Sequence, residues 1–168
     1  MMKKVLIIST GGTFNKKYNS QSGNLDIVND GSALAEIAKQ TRTSFEVLNI
    51  IDKDSLDMNK SNRATIATTI KNSKYKNIVV IHGTDTMDKT ARYLAKQNLK
   101  ATIVLTGAMV PHSINPIEST ANLSMALGYI QASRQKGVYI AMNGVVDRYR
   151  KVVKNREVGR FEIVGSDF

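Results

Sequence analysis

The sequence predicts a doubly wound α/β domain, in which one mostly parallel sheet sits in a three-layer αβα arrangement of the flavodoxin-like or Rossmann-like kind. Two observations carry this expectation. Five short runs of apolar or β-branched residues lie at 5–8, 45–51, 78–81, 102–105 and 138–142, most of them without polar alternation. Strands of that kind are buried on both faces and need helices on both sides. Four longer segments of helix-forming composition fall between those runs, at 33–39, 62–72, 87–97 and 121–133. Length adds a third observation, since 168 residues make one hydrophobic core.

The first run is all Val, Leu and Ile and ends in Ser9-Thr10 before the pair Gly11-Gly12, which lets the chain turn sharply. Residues 14–31 are rich in Gly, Asn, Ser and Lys and exceed an ordinary strand-to-helix loop, so a mobile lid is expected there. The next three helical segments each lead into a strand, which completes successive crossover units. Pro111 and Pro116 stiffen the loop after the 102–105 strand, and the helix at 121–133 collects Leu123, Leu127 and Ile130 on one face. Asn143-Gly144 signals a turn, and the charged, alternating stretch 143–168 is expected to form a β hairpin or an arm for oligomer contacts. In such a sheet, ligands bind beyond the carboxyl ends of the strands, so the site belongs in the loops that follow them.

Composition removes several chemistries. The chain has no Cys, which excludes disulfides, thiolate metal sites, iron–sulfur clusters and a cysteine nucleophile. Only His82 and His112 occur, with no matching carboxylate spacing, so no metal is expected and no Ser/His/Asp order is seen. The Met-Met-Lys-Lys start precedes an apolar run too short for a signal-peptide core or a membrane span, and a cytoplasmic protein without a membrane partner is expected. A net charge of +10 raises nucleic-acid binding, but a solvated surface or a field favouring a small anion is the plainer account, and no nucleic-acid partner is expected. Arg148, Arg150, Lys151, Lys154, Arg156 and Arg160 form a basic cluster near the C-terminus.

Four strand ends carry small hydroxyl or glycine groups. Thr10-Gly11-Gly12-Thr13 follows the first run, Ser55 with Asp57 the second, His82-Gly83-Thr84-Asp85-Thr86 the third, and Thr106-Gly107-Ala108 the fourth. Neither nucleotide-binding glycine pattern is completed, and together these groups suit a pocket for a small polar ligand. Each also has a plain structural role, since paired glycines make turns and Thr84, Asp85 and Thr86 are good helix caps. His82, at the end of an apolar run, reads as a hydrogen-bonded core histidine, and His112 as a loop residue. A hydroxyl nucleophile needs a base, and a lysine whose pKa is lowered by burial or by cationic neighbours is the remaining choice. Lys154 in the basic cluster is the candidate.

Thr10-Gly11-Gly12-Thr13, Ser55-Leu56-Asp57-Met58-Asn59, His82-Gly83-Thr84-Asp85-Thr86-Met87 and Thr106-Gly107-Ala108-Met109-Val110-Pro111, in this order, resemble the bacterial-type L-asparaginase family. The resemblance covers nearly the whole chain but only the family's larger N-terminal domain. It therefore implies a short member, 1–168, with one asparaginase N-terminal-type domain and no C-terminal domain. It implies a cofactor-free amidohydrolase that turns L-asparagine into L-aspartate and ammonia through a threonine-linked acyl-enzyme. Thr13 matches the nucleophile, while Thr84, Asp85 and Lys154 match the family's second triad. Ser55 matches the serine that binds the substrate α-carboxylate, with Gly12, Gly83 and Ala108 beside the substrate, and Tyr18 is the choice for the loop tyrosine. A homo-oligomer, dimer or tetramer, is implied because family members assemble.

Three departures stand out. Leu56 replaces a polar residue that contacts the substrate amine in longer members, which bears on discrimination against glutamine. The acidic residue that longer members supply from a neighbouring subunit's C-terminal domain is not expected in a short member, and Glu118 is a candidate to replace it, although a loop salt bridge or a helix-start carboxylate also explains Glu118. Lys154 sits in Val153-Lys154-Asn155 without flanking hydroxyls. Two other readings stay open: a basic binding module for an amino acid or nucleic acid, and an amidase for glutamine, D-asparagine or an asparaginyl peptide.

Overall fold

The computed structural model describes residues 1–165. Its central sheet has six strands. β1 (Leu6–Gly11), β4 (Glu46–Lys53), β5 (Asn77–Ile81), β6 (Thr102–Thr106) and β7 (Gly137–Met142) run parallel, and β8 (Val145–Arg148) closes the edge antiparallel to β7. The spatial order β4-β1-β5-β6-β7-β8 reverses direction between β1 and β5, which makes that junction the crevice where ligands bind in doubly wound sheets. The expected architecture is present, with a sixth strand that the sequence had left inside the C-terminal hairpin. Asn143 at φ 50° and Gly144 at φ 84° make the tight turn that returns β8 onto β7.

Both faces of the sheet are covered. Leu6, Ile8, Ile78, Val80, Ile103 and Leu105 point to one side and pack with Ile66 and Ile70 of α2 (Lys60–Asn72) and Leu94 of α3 (Met87–Ala95). Ile7, Val79, Ile81 and Val104 point to the other and meet Leu34 and Ile37 of α1 (Ser32–Thr41) and Leu123 and Ile130 of α4 (Pro116–Ala132). Strand residues alternate between the two cores at period two, so an unbroken apolar run serves both.

Two segments differ from the sequence expectation. α4 starts five residues before the expected 121, because Pro116 occupies its first turn, where no N–H is needed, and Asn115 caps it by accepting from the Ile117 N–H at 3.0 Å. Residues 14–31, expected as a mobile lid, hold a hairpin, β2 (Lys16–Tyr18) against β3 (Leu25–Ile27). The hairpin is tied down at both ends. Asn29 Nδ2 donates to the Ser9 and Ile51 carbonyls at 3.2 and 2.9 Å, and Lys16 pairs with Asp54 at 2.9 Å. Burial raises the Asp54 carboxyl, but the Lys16 ammonium and the Leu56 N–H outweigh it and hold the group below its ordinary value.

A second hairpin, β9 (Val152–Asn155) with β10 (Arg160–Ile163), forms the C-terminal arm. Val152 and Phe161 anchor it in the first core, and the Phe161 N–H donates to Asn143 Oδ1 at 3.0 Å. Deleting the Phe161 ring by Phe161→Ala is expected to destabilise the protein by about 3–5 kcal/mol, read from the chemical denaturation midpoint. A loss under about 1 kcal/mol would mean that the arm is not fastened through this residue.

Candidate active site

The loops after β1, β5 and β4 touch backbone to backbone at the crevice. Gly12 adopts φ 71°, and a Cβ added there would lie 2.6 Å from the Gly83 nitrogen. A Cβ on Gly83 would in turn lie 2.7 Å from Ser55 Cβ. Glycine is therefore required at Gly12 for conformation and for space, and at Gly83 for space. These contacts set Thr13, half-buried at the start of the turn after β1, against the loop that carries Thr84 and Asp85. Ser55, fully buried, accepts from the Thr86 N–H at 3.3 Å through Oγ and from the Thr86 hydroxyl at 2.7 Å through its carbonyl. Thr86 stands at the N-cap of α3 without capping it, so its hydroxyl joins two loops instead.

The arm delivers the lysine. Val152 enters the core, and two residues on, facing the same way, Lys154 reaches the crevice. Its Nζ donates to Thr84 Oγ1 at 2.9 Å and to Asp85 Oδ1 at 2.7 Å. The Lys154 side chain is 12% exposed. The ammonium is largely withdrawn from water while the Asp85 side chain is 38% exposed, so removing Asp85 would leave the cation poorly solvated. Arg156 Nη2 adds a bond to the Asp85 carbonyl at 3.0 Å.

Beneath these loops lies a network that the sequence did not reveal. Arg63 of α2 donates from Nη1 to the Met58 carbonyl at 3.0 Å, from Nη2 to Thr86 Oγ1 at 3.2 Å and from Nε to Thr90 Oγ1 at 3.0 Å. Thr90 in turn bonds His82 Nε2 at 2.8 Å, and His82 Nδ1 donates to the Gly83 carbonyl at 2.8 Å. Because Nδ1 faces a carbonyl, it carries the proton, and the neutral ring accepts from Thr90 at Nε2. Complete burial pushes the His82 pKa down to about 4. Arg63 lies on the same helical stripe as buried Ile66 and Ile70, and a cation in an apolar register was the signal available.

Other candidates fall elsewhere. Tyr18 is 65% exposed at the end of β2, and Leu56 is 72% exposed in the short turn Ser55–Asp57. Ala108 is buried in the second core beside the Gly107 carbonyl, which accepts from Asn122 Nδ2 at 3.0 Å. Glu118 braces a loop: its carboxylate accepts from the Met109 and Val110 N–H groups at 3.0–3.1 Å and from Asn143 Nδ2 at 3.3 Å. His112 is more than a loop residue. It is buried, bonded to Ser119 Oγ at 2.7 Å and to Glu36 at 3.3 Å, and stacked on Phe14. Among the described residues no metal-binding group of His, Asp and Glu occurs, and no helix is long and apolar enough to cross a membrane.

Residues 4–162 match the family profile described as Asparaginase, N-terminal. The chain belongs to the asparaginase family. L-asparaginase 2 of Escherichia coli K12 is 28% identical over 176 residues, which take in 97% of this chain and 50% of that protein. The glutaminase-asparaginase of Acinetobacter glutaminasificans is 28% identical across 89% of this chain and 49% of its own length. The solved L-asparaginase of Thermococcus kodakarensis superposes with a TM-score of 0.80 at 24% identity, over 98% of this chain and 52% of that one, which establishes the shared fold. The chain thus spans about half the length of the curated asparaginase relatives it matches.

Two outcomes test the network of this asparaginase-family domain. Arg63→Met removes three donors at once and is expected to cost about 2 kcal/mol of stability, with Arg63→Lys recovering only part because an ammonium lacks the planar fork. Denaturation midpoints read both, and an unchanged midpoint in Arg63→Met would remove Arg63 from its bracing role. His82 binds a proton in the unfolded chain near its ordinary pKa of 6.5 but in the folded state only near 4. Its contribution is therefore fully present above pH 6.5 and is lost as pH falls to 4, by about 3 kcal/mol in all. Denaturation followed from pH 7 to pH 4 should show that slope, and His82→Asn should flatten it.

Proposed function

We propose that this chain hydrolyses the side-chain carboxamide of L-asparagine to L-aspartate and ammonia through an ester on Thr13. The observation that supports this most is the pair of bonds from Lys154 Nζ to Thr84 Oγ1 and Asp85 Oδ1, at the strand end adjoining the loop of Thr13. A cation, a hydroxyl and a carboxylate from sequence-distant segments converge beside a second hydroxyl, which is what nucleophilic amide cleavage without a histidine base requires.

In this reading Thr13 Oγ adds to the carboxamide carbon as its proton passes to Lys154 by way of the Thr84 hydroxyl. Backbone N–H groups of the loops after β1 and β5 hold the oxyanion, at roughly 3 kcal/mol per donor. Collapse breaks the C–N bond, and the nitrogen leaves as ammonia with the returned proton. Water then adds to the ester, and its departure as aspartate restores the Thr13 hydroxyl. The Ser55 hydroxyl binds the substrate α-carboxylate and Asp85 the α-ammonium, with Gly12, Gly83 and Ala108 supplying backbone walls. Tyr18, on the β2–β3 hairpin, is assigned the role of polarising the nucleophile. Leu56 offers the substrate no polar contact, so selectivity against L-glutamine is weak. Glu118 takes no part because its oxygens hold the loop after β6.

Ammonia release from L-asparagine, L-glutamine and D-asparagine by the purified chain tests this reading. L-asparagine turnover is expected, falling in Thr13→Ala to less than about one-thousandth with folding intact, and Lys154→Met should lower kcat far more than it changes KM. Retention of most activity in Thr13→Ala would sink the nucleophile. Aspartate binding without turnover of any of the three amides would make the domain a binding module.

A further inference from the structure

The outer side of α3 carries a groove that amide hydrolysis does not use. Its largest stretch, about 530 Å³, lies between the end of α3 and the segment around β8, and its walls hold Lys96, Lys136, Arg148, Arg150 and Lys151 with no carboxylate. A second stretch of about 380 Å³ shares Lys96 and Arg150, adds Arg92, and ends at Val153 beside Lys154, with Asp88 as its one acid. A third continues past Arg92 to Lys60 and Lys89 without an acid. Lys89, Arg92 and Lys96 stand three and four residues apart, so α3 presents them as one row. Among the described residues Arg92, Lys96, Lys136 and Arg150 form no ion pair. Cations thus line one continuous concavity, and Arg148, Arg150 and Lys151 of the basic cluster near the C-terminus form one of its walls.

Tyrosine rings stand among these cations. Tyr149 and Tyr93 line the groove and pack from behind against the first core, which fixes their orientation. Arg150 lies 5.6 Å from the Tyr149 ring centre, and its Nε donates to Tyr149 Oη at 2.9 Å. A row of cations, most of them without a carboxylate partner and with two tyrosines among them, matches a phosphodiester backbone with bases that stack on aromatic rings. Bases are free to stack on these rings only in an unpaired strand, which favours a single strand over a duplex.

We propose that this groove binds single-stranded nucleic acid, with the α3 and β8–β9 cations along the phosphates and Tyr149 against a base. This reverses the expectation drawn from composition alone, because only the fold brings α3 and the basic segment together. Binding is independent of the hydrolytic reading, since none of these side chains has a role in that chemistry.

Fluorescence anisotropy of a labelled fifteen-nucleotide oligouridylate, titrated with the full chain between 50 and 200 mM salt, tests the proposal. Affinity should fall linearly on a log–log plot of salt. Combining Arg92→Gln, Lys96→Gln and Arg150→Gln should weaken binding at least tenfold at 50 mM salt and reduce the slope by about 2, at roughly 0.7 per phosphate contact. A control combining Lys39→Gln, Lys71→Gln and Arg134→Gln lowers the net charge equally and should bind as the parent does. Tyr149→Leu should weaken oligouridylate severalfold and leave inorganic polyphosphate or poly-glutamate unaffected. No binding at 50 mM salt would overturn the proposal, as would an equal loss in the control. Polyphosphate or poly-glutamate binding as tightly as oligouridylate, with Tyr149→Leu silent, would also overturn it by reducing the groove to a general polyanion surface. Ammonia release by the groove triple is expected to match the parent, so either reading can fail without the other.

Discussion

The direct backbone contact between Gly12 and Gly83 is the constraint on which the rest of the site depends. β1 and β5 are neighbours in the sheet but reach their ligand-facing ends through loops of opposite destination, since the chain order reverses between them. Two strands about 5 Å apart leave little room for two loops to cross at that junction. Any Cβ at Gly12 would press on Gly83, and any at Gly83 would press on Ser55. Three loops are therefore stacked with only the Ser55 side chain between them, and their hydroxyl residues gather at the junction of β1 and β5.

Such tight stacking exposes backbone polar groups that need partners, and Arg63 and His82 supply them from below. The Arg63 guanidinium ties the loop after β4 to that after β5, and His82 fastens the Gly83 carbonyl from within the core. The buried imidazole stays neutral because a charge there would be desolvated, so one ring nitrogen is free to accept. The loops that bear Ser55, Thr84 and Asp85 are held by bonds that never face the opening, which is how a rigid site keeps its reactive groups free.

Lys154 comes from outside the doubly wound unit. Its position rests on a two-stranded arm fixed by Val152, Phe161 and the Phe161 bond to Asn143. The turn that leads into this arm carries Arg150 and Lys151 into the groove along α3. One short segment thus connects the crevice with the basic face: the turn before β9 places Arg150 and Lys151 in the groove, and β9 places Lys154 at the crevice.

The sequence by itself determined the layer architecture, because runs such as Ile78-Val79-Val80-Ile81 are buried whichever face they turn. It also placed the small hydroxyl and glycine groups at strand ends, and the family resemblance singled out Thr13, Ser55, Thr84, Asp85 and Lys154. Tertiary structure decided what no local pattern encodes. β8 joins the sheet as a sixth strand, residues 16–27 pair as a hairpin where a lid was expected, and Pro116 opens α4 where a loop was expected. Arg63 is bonded across 23 and 27 residues to Thr86 and Thr90, and Lys154 across about 70 to Thr84 and Asp85. The physical reason is separation along the chain: local periodicity reports which face of an element is apolar, whereas the partner of a buried polar group is set by how distant elements pack.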